Sequence, residues 1–326
     1  VDEDFDQDSD GAFDENDAGC ASTYAAAALD CDDFDEDTNP GATEVCGDGD
    51  DQDCDGSDLA CFSTVVFSNC NSTGRDGPSQ GDCNSAYAGT DLFGAVTTTG
   101  GIQEWIVPAT DNYTIQVTGA GGGNGDSSDT DPGAGALMTG NFALSAGTTL
   151  RILVGQQGGN GSTSSSAGGG GGGGSFVVDA FSNTALIVAA GGNGDSWDNW
   201  NTDAPDGQTT NNGDLGGAVP GRAGGGGGFA GNGQNNSGEG GQSFLNGGQG
   251  GDNSSNGGVG GFGGGGGSLY EGGGGGGYTG GTVVDTNQYS SSFPQYGAGS
   301  FNSGTSQSNS GGVNSGHGQV TISLAN

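Results

Sequence analysis

The chain has 326 residues and carries 40 Asp and Glu against three Lys or Arg, a net charge of −37. Nucleic acid is excluded as a partner, because phosphate neutralisation needs basic residues. No stretch approaches 18 consecutive apolar residues, so no direct membrane insertion is expected. Leu, Ile, Val and Phe together number 49, while Gly alone numbers 79, a balance that ordinarily reads as disorder. Order has to be argued from the arrangement of residues along the chain.

Residues 1–61 hold 22 of the acidic residues and no Lys or Arg. Asp6, Asp8, Asp10, Gly11, Asp14 and Asp17 spell D-x-D-x-D-G-x-x-D-x-x-D. Hard divalent cations take six to eight oxygens, and alternate residues of a tight loop can aim carboxylates at one centre. Gly11 falls where such a loop turns sharply. A second group of candidate ligands follows: Asp30, Asp32, Asp35, Asp37, Glu44, Asp51, Asp53, Asp55 and Asp58. The cofactor expected of this arm is Ca²⁺.

All seven cysteines (Cys20, Cys31, Cys46, Cys54, Cys61, Cys70, Cys83) lie in the first 83 residues. Such clustering predicts disulfides formed in an oxidising compartment. Zinc is the weaker alternative, since no C-x-x-C occurs and the one His, His317, is far away. Cys70 and Cys83 flank a turn-rich stretch and are expected to pair. Of the other five, Cys61 is the candidate for the one left over. The start at Val1, without a basic and apolar leader, is what removal of a secretory signal leaves.

Beyond residue 61 the texture changes. Short apolar runs at 62–67, 102–107, 113–118, 137–144, 149–155, 175–179, 185–190 and 319–324 read as strands. Tyr113, Ile115 and Val117 alternate with polar neighbours, as do Val320, Ile322 and Leu324. A disordered chain has no reason to gather apolar residues into such runs. Unbroken glycine tracts at 168–174, 224–228, 263–267 and 272–277 lie between the strands, punctuated by Phe229, Phe262, Tyr270 and Tyr278. They are either flexible linkers or packed polyproline-II helices, in which bare backbones approach closely. Strict G-X-Y repeats are absent, which excludes collagen.

The segments GIQEWIVP (101–108), YTIQVTGAGGG (113–123), SFVV (175–178), LIVAAG (186–191), GGGGGGYTG (272–280), SFNSG (300–304) and GHGQV (316–320) resemble, in that order, secreted glycine-rich domains. One such domain sits in the anaplastic lymphoma kinase ectodomain, and others occur in bacterial and algal surface proteins. The resemblance spans roughly 62–326. It implies a mainly β fold: a jelly-roll-like β-sandwich with inserted glycine-rich polyproline-II helices at 119–136, 155–174 and 191–318. The arm, 1–61, is expected to be irregular, calcium-binding and disulfide-containing. Its DCDD (30–33), NPGA (39–42), EVC (44–46) and DQDCDG (51–56) resemble Cys- and Asp-rich metal-binding repeats of bacterial secreted proteins. The first loop is closer to thrombospondin type 3 and dockerin calcium repeats.

Catalysis has little to stand on. His317 is the only imidazole and sits between two glycines, and a Walker loop needs a Lys that the chain lacks. Trp197 and Trp200 are a candidate sugar-stacking pair, against packing over the glycine tracts. The sequence thus points to a secreted, non-enzymatic structural or adhesive surface protein. The leading version self-associates into an extracellular filament or matrix. The alternative is a surface module that recognises a glycan or receptor and does not polymerise.

Overall fold

A computed structural model describes residues 11–14, 29–32, 34–43, 49–56, 64–126, 131–162, 166–197, 203–211, 223–253, 255–282 and 296–325. The chain divides into two compact units, Val1–Ser63 and Thr64–Asn326. In the first unit, β1 (Phe13–Asp14) and β2 (Leu29–Asp30) pair in parallel, with Asp14 opposite Asp30.

The second unit is built on two antiparallel sheets in a sandwich-like arrangement. Its elements in chain order are β3 (Thr64–Phe67), α1 (Gln80–Ala86), β4 (Val96–Thr99), β5 (Ile102–Ile106), β6 (Asp111–Thr118) and β7 (Gly135–Leu144). There follow β8 (Thr149–Leu153), β9 (Ser175–Asp179), β10 (Thr184–Ala189), β11 (Phe301–Asn302), β12 (Thr305–Asn314) and β13 (Gln319–Leu324). One sheet runs β12-β7-β6-β13-β3 and the other β11-β10-β9-β8-β5-β4.

The alternating strands set the first sheet. Val320 of β13 lies opposite Val117 on one side and Phe67 on the other, and Ile322 lies opposite Ile115 and Val65. All six are buried, so two strands some 200 residues apart in sequence share one apolar face. Burying each Val or Ile contributes about 1.5–3 kcal/mol. In the second sheet, Phe176, Val178, Ala185 and Val188 pack with Phe244 and Phe262 from the glycine segments. Phe244, Phe229, Tyr278 and Phe301 form a continuous ring stack, with centroids 5.5, 5.8 and 4.6 Å apart. The aromatics that punctuate the tracts therefore tie them to the sheet. Trp105 is buried and meets the edge of Phe67 at 6.0 Å.

The glycine tracts are buried and bonded rather than linking. Residues 167–174 are buried throughout. The N–H groups of Gly168, Gly171 and Gly174 donate to the carbonyls of Leu269, Gly266 and Gly263 at 2.9–3.1 Å. Those of Gly169 and Gly172 donate to Asp195 and Gly192, and those of Gly170 and Gly173 to Gly159 and Gln156. Successive residues thus reach three different neighbours, and every third residue returns to the same one. No side chain fits between them: a Cβ on Gly170 would lie 1.9 Å from the Val259 carbonyl oxygen, and on Gly173 1.8 Å from that of Phe262.

Four elements of the second unit differ from the sequence reading, one of them β4, which falls in no predicted run. The segment 191–318, expected to be glycine helices, contains β11 and β12. β12 is polar and exposed on both faces from 305 to 310, so it carries no apolar alternation to reveal it. α1 is short and rests on its caps: Ser79 Oγ accepts the Asp82 N–H, and the Asp82 carboxylate accepts the Ser79 N–H at 2.8 Å. The Ser79 hydroxyl, donating to Asp82 Oδ2 at 2.7 Å, and the Ser79 N–H hold the Asp82 carboxyl below its ordinary pKa.

A disulfide joins Cys70 to Cys83 of α1, with Cα atoms 4.8 Å apart. The loop it closes straps the glycine segments. Arg75 pairs with Glu239 at 3.3 Å and Asp252 at 2.5 Å, and its Nε donates to the Gly250 carbonyl. Gly74 and Arg75 carbonyls accept the N–H groups of Phe262 and Gly250, and Asp76 Oδ1 accepts from Gln249 Nε2 at 2.7 Å. A closed loop of this size is worth about 3 kcal/mol in the chain-entropy model. Cys70→Ser/Cys83→Ser should lower the stability of the second unit by about that amount in a denaturant melt. An unchanged midpoint would show that the strap holds without its staple.

Candidate metal centre in the N-terminal unit

Residues 51–56 read D-x-D-x-D-G, and the backbone folds around that spacing. Gly56 takes φ +102°, a left-handed conformation that glycine adopts without strain. The turn lets the Gly56 N–H donate to Asp51 Oδ2 at 2.8 Å. The Asp55 N–H donates to both Asp51 Oδ1 and Asp53 Oδ1, at 3.1 and 3.2 Å. One carboxylate oxygen from each of Asp51, Asp53 and Asp55 then lies within 4.8 Å of the others. Each carboxylate offers about four lone-pair sites, so the backbone bonds leave acceptor capacity on all three.

The loop is anchored from within the motif, at Gln52 and Cys54. Cys54, inside the motif, is disulfide-bonded to Cys31, with Cα atoms 5.6 Å apart. The Gln52 carbonyl accepts the Asn39 N–H at 2.8 Å, and Gln52 and Thr38 are buried beneath it. Asp30 also lies beside Cys31 and Cys54. Those sulfurs are bonded to each other and are not thiolates, so this second cluster is a carboxylate next to a disulfide, not a three-ligand site.

The structure sorts the candidate ligands. Asp51, Asp53 and Asp55 come together. Asp32 and Asp35 instead organise the turn between them and the anchor: Asp32 Oδ1 accepts the Phe34 N–H and Asp35 Oδ1 the Asp37 N–H. Asp37 is exposed in that turn. Asp14 is placed by its backbone beside Asp30. Asp6, Asp8, Asp10, Asp17, Glu44 and Asp58 lie outside the described residues, as do Cys20, Cys46 and Cys61. Sequence reasoning did not foresee that the Cys31–Cys54 bond runs through the motif itself, because spacing carries no pairing information.

Elsewhere, the residues considered for other chemistry have structural surroundings. His317 Nδ1 accepts the Gln157 N–H at 3.0 Å, and burial pushes its pKa below the usual imidazole value, favouring the neutral form. Trp197 is partly exposed and its backbone N–H donates to the Tyr270 carbonyl; Trp200 lies outside the described residues. No helix among the described residues is long and apolar enough to cross a membrane.

A family model of the copper-binding MopE type, described as "Putative metal-binding motif", matches residues 30–58, the stretch that contains the carboxylate cluster. A separate similarity, 40% identity over 96 residues, relates the chain to the Leukocyte tyrosine kinase receptor of Mus musculus. That stretch covers 28% of this chain and 11% of the receptor, so the chain spans about a tenth of the length of the relative it matches. Motif, disulfides and receptor similarity together point to an extracellular module that carries a metal-binding motif.

Proposed function

We propose that the chain is a Ca²⁺-stabilised structural or adhesive protein of the cell exterior, and that it serves as a subunit of an extracellular filament or matrix. The observation that carries the metal is the Asp51, Asp53 and Asp55 cluster. Its donors are all hard carboxylate oxygens, the preference of Ca²⁺. Copper and zinc favour imidazole and sulfur. The first 63 residues contain no His and no Met, and the sulfurs of Cys31 and Cys54 are consumed in a disulfide. The three carboxylates of the cluster itself therefore favour calcium over the copper in the family model's name. Asp51, Asp53 and Asp55 would hold the ion, which would supply the positive charge that this acidic arm lacks.

The structural role rests on the second unit. The three-residue repeat of hydrogen bonds in 168–174 is the period of polyproline II, a helix with no internal bonds. We read the tracts as a bundle of such helices clamped by the sheets, a rigid body suited to load rather than to turnover. The engagement of His317 by Gln157 supports a non-enzymatic role.

Negative-stain electron microscopy of the purified chain tests this. Filaments or sheets are expected in Ca²⁺, loosening in chelator unless an intermolecular disulfide holds them. Discrete particles under both conditions would favour the second reading, a surface module for a glycan or receptor. That reading draws on a cleft of about 210 Å³ lined by Gly228, Phe229, Ala230, Tyr278 and Thr279, whose stacked rings offer an aromatic face.

A further inference from the structure

We infer that the outer edge of β12 is a self-association surface, and that its occupant is β12 of a second copy of this chain, paired antiparallel across a two-fold axis. The inference deepens the filament reading and rests on it, supplying one of the two contacts that a polymer needs. β12 ends the five-stranded sheet. Among the described residues its backbone bonds only to β7. Residues 305–310 are exposed on both faces, so the edge is open. An unpaired edge is a template for another strand unless Lys, Pro, charge or bulges blunt it. β12 has no Lys, no Pro and no charged residue.

Charge selects the occupant. Every charged residue of the chain lies at or before Asp285, and 286–326 carry none. The acidic residues concentrate elsewhere, 22 of the 40 in residues 1–61, where a second copy meets like charge. Over 305–310 of β12 it meets amides and hydroxyls, and the one carboxylate against the strand among the described residues, Asp206, lies at Gly312, past the exposed stretch. A basic partner would be drawn to the acidic surfaces instead. The side chains suit a strand-to-strand pairing of like with like. Gln307 and Asn309 bond amide to amide at 3.2 Å and are held by Asn302 and Gly304 of the same chain, so their amides are fixed in place and the pairing itself falls to the β12 backbone. The same patch on both subunits makes the contact isologous.

Two bulges limit its strength. Ser306 and Gly312 have positive φ, and the register with β7 shifts between Thr305 and Ser308 and between Ser310 and Asn314. The regular ladder is therefore short, and the contact is expected to be weak and reversible in isolated dimers.

Sedimentation equilibrium of the full chain, in Ca²⁺ and in EDTA, tests the inference. The expected result is a reversible dimer in both. Gln307→Glu/Asn309→Glu should raise its dissociation constant about tenfold or more. A charge-matched control on exposed positions outside that sheet, Ala88→Glu/Thr97→Glu, should leave it unchanged. A wild type that stays monomeric to about 1 mM overturns the inference, as does an edge variant that dimerises like the control. A dimer abolished by EDTA overturns it too, since Ca²⁺ bridges would then make the contact. An EDTA-insensitive edge dimer in a chain that takes up no Ca²⁺ keeps the edge and sinks the calcium reading. Hydrogen exchange of the wild type guards against a misfolded variant: amides at 306–311 should slow with protein concentration, and concentration-independent exchange in a dimer overturns the pairing.

Discussion

Gly171→Ala should destabilise the second unit by about 3 kcal/mol or more, while Gly231→Ala leaves it unchanged or slightly more stable. Gly171 lies in the buried tract, where a Cβ would fall 2.0 Å from the Gly274 carbonyl oxygen. Its own N–H donates to Gly266 and its carbonyl accepts from Gly261. The obstruction is backbone, which cannot rotate away as a side chain can, so the bundle must part to admit the methyl. Backbone conformation is not the difficulty, because Gly171 does not have positive φ. Gly231 has nothing within 4 Å of its Cβ position. There alanine only reduces the freedom of the unfolded chain, a gain of about 0.4–1 kcal/mol. Denaturant melts of the two variants separate a packed bundle from a linker. Equal midpoints would mean that the tract at 168–174 is not packed.

Calcium titration of the full chain should show uptake from which Asp51→Ala removes one site, a site that Asp55→Asn weakens at least about tenfold. The expected affinity is that of extracellular modules, about 10⁻⁴–10⁻³ M. Asp51 matters most because it does two things. Its oxygens accept the Asp55 and Gly56 N–H groups that shape the loop, and it contributes to the carboxylate cluster. Asp55→Asn keeps the side chain's shape and removes one charge. Two carboxylates 4 Å apart repel by about 1 kcal/mol in water, so the cluster should hold together better with the ion than without it. Calorimetry showing no Ca²⁺ uptake would remove the metal from this account. Uptake of Cu²⁺ in its place would show that the ligands lie among residues other than this cluster. Neither substitution should move the melting of the second unit.

The fold was legible where burial is one-sided. Alternation in β6 and β13 announces a strand with one wet face, and both strands stand where that pattern puts them. β12 escaped because it buries neither face, and α1 because seven residues with a capping box give no apolar stripe. At the candidate site, the D-x-D-x-D-G reading falls at 6–11, whose carboxylates lie outside the described residues, and Asp51, Asp53 and Asp55 enter through the resemblance of 51–56 to metal-binding repeats. Asp35 could not be told from Asp53 in the sequence. Both are acidic residues in a turn, and only the fold shows that one organises its own turn while the other faces two neighbours. Arg75 was invisible for another reason. Its partners, Glu239 and Asp252, lie more than 160 residues away, and a single Arg in a turn carries no pattern.

The buried glycine tracts bear on how this protein meets temperature. Exposing apolar surface raises the heat capacity on unfolding, whereas exposing peptide groups lowers it. A core lined by Gly168–Gly174 and its neighbours releases mostly peptide groups to water. The heat-capacity change per residue should therefore fall below that of a domain packed with leucine and valine. A smaller value flattens the stability curve and moves its cold limb to lower temperature. Bare backbone in the interior is thus a way of staying folded over a wide thermal range, including the cold, where the hydrophobic drive weakens.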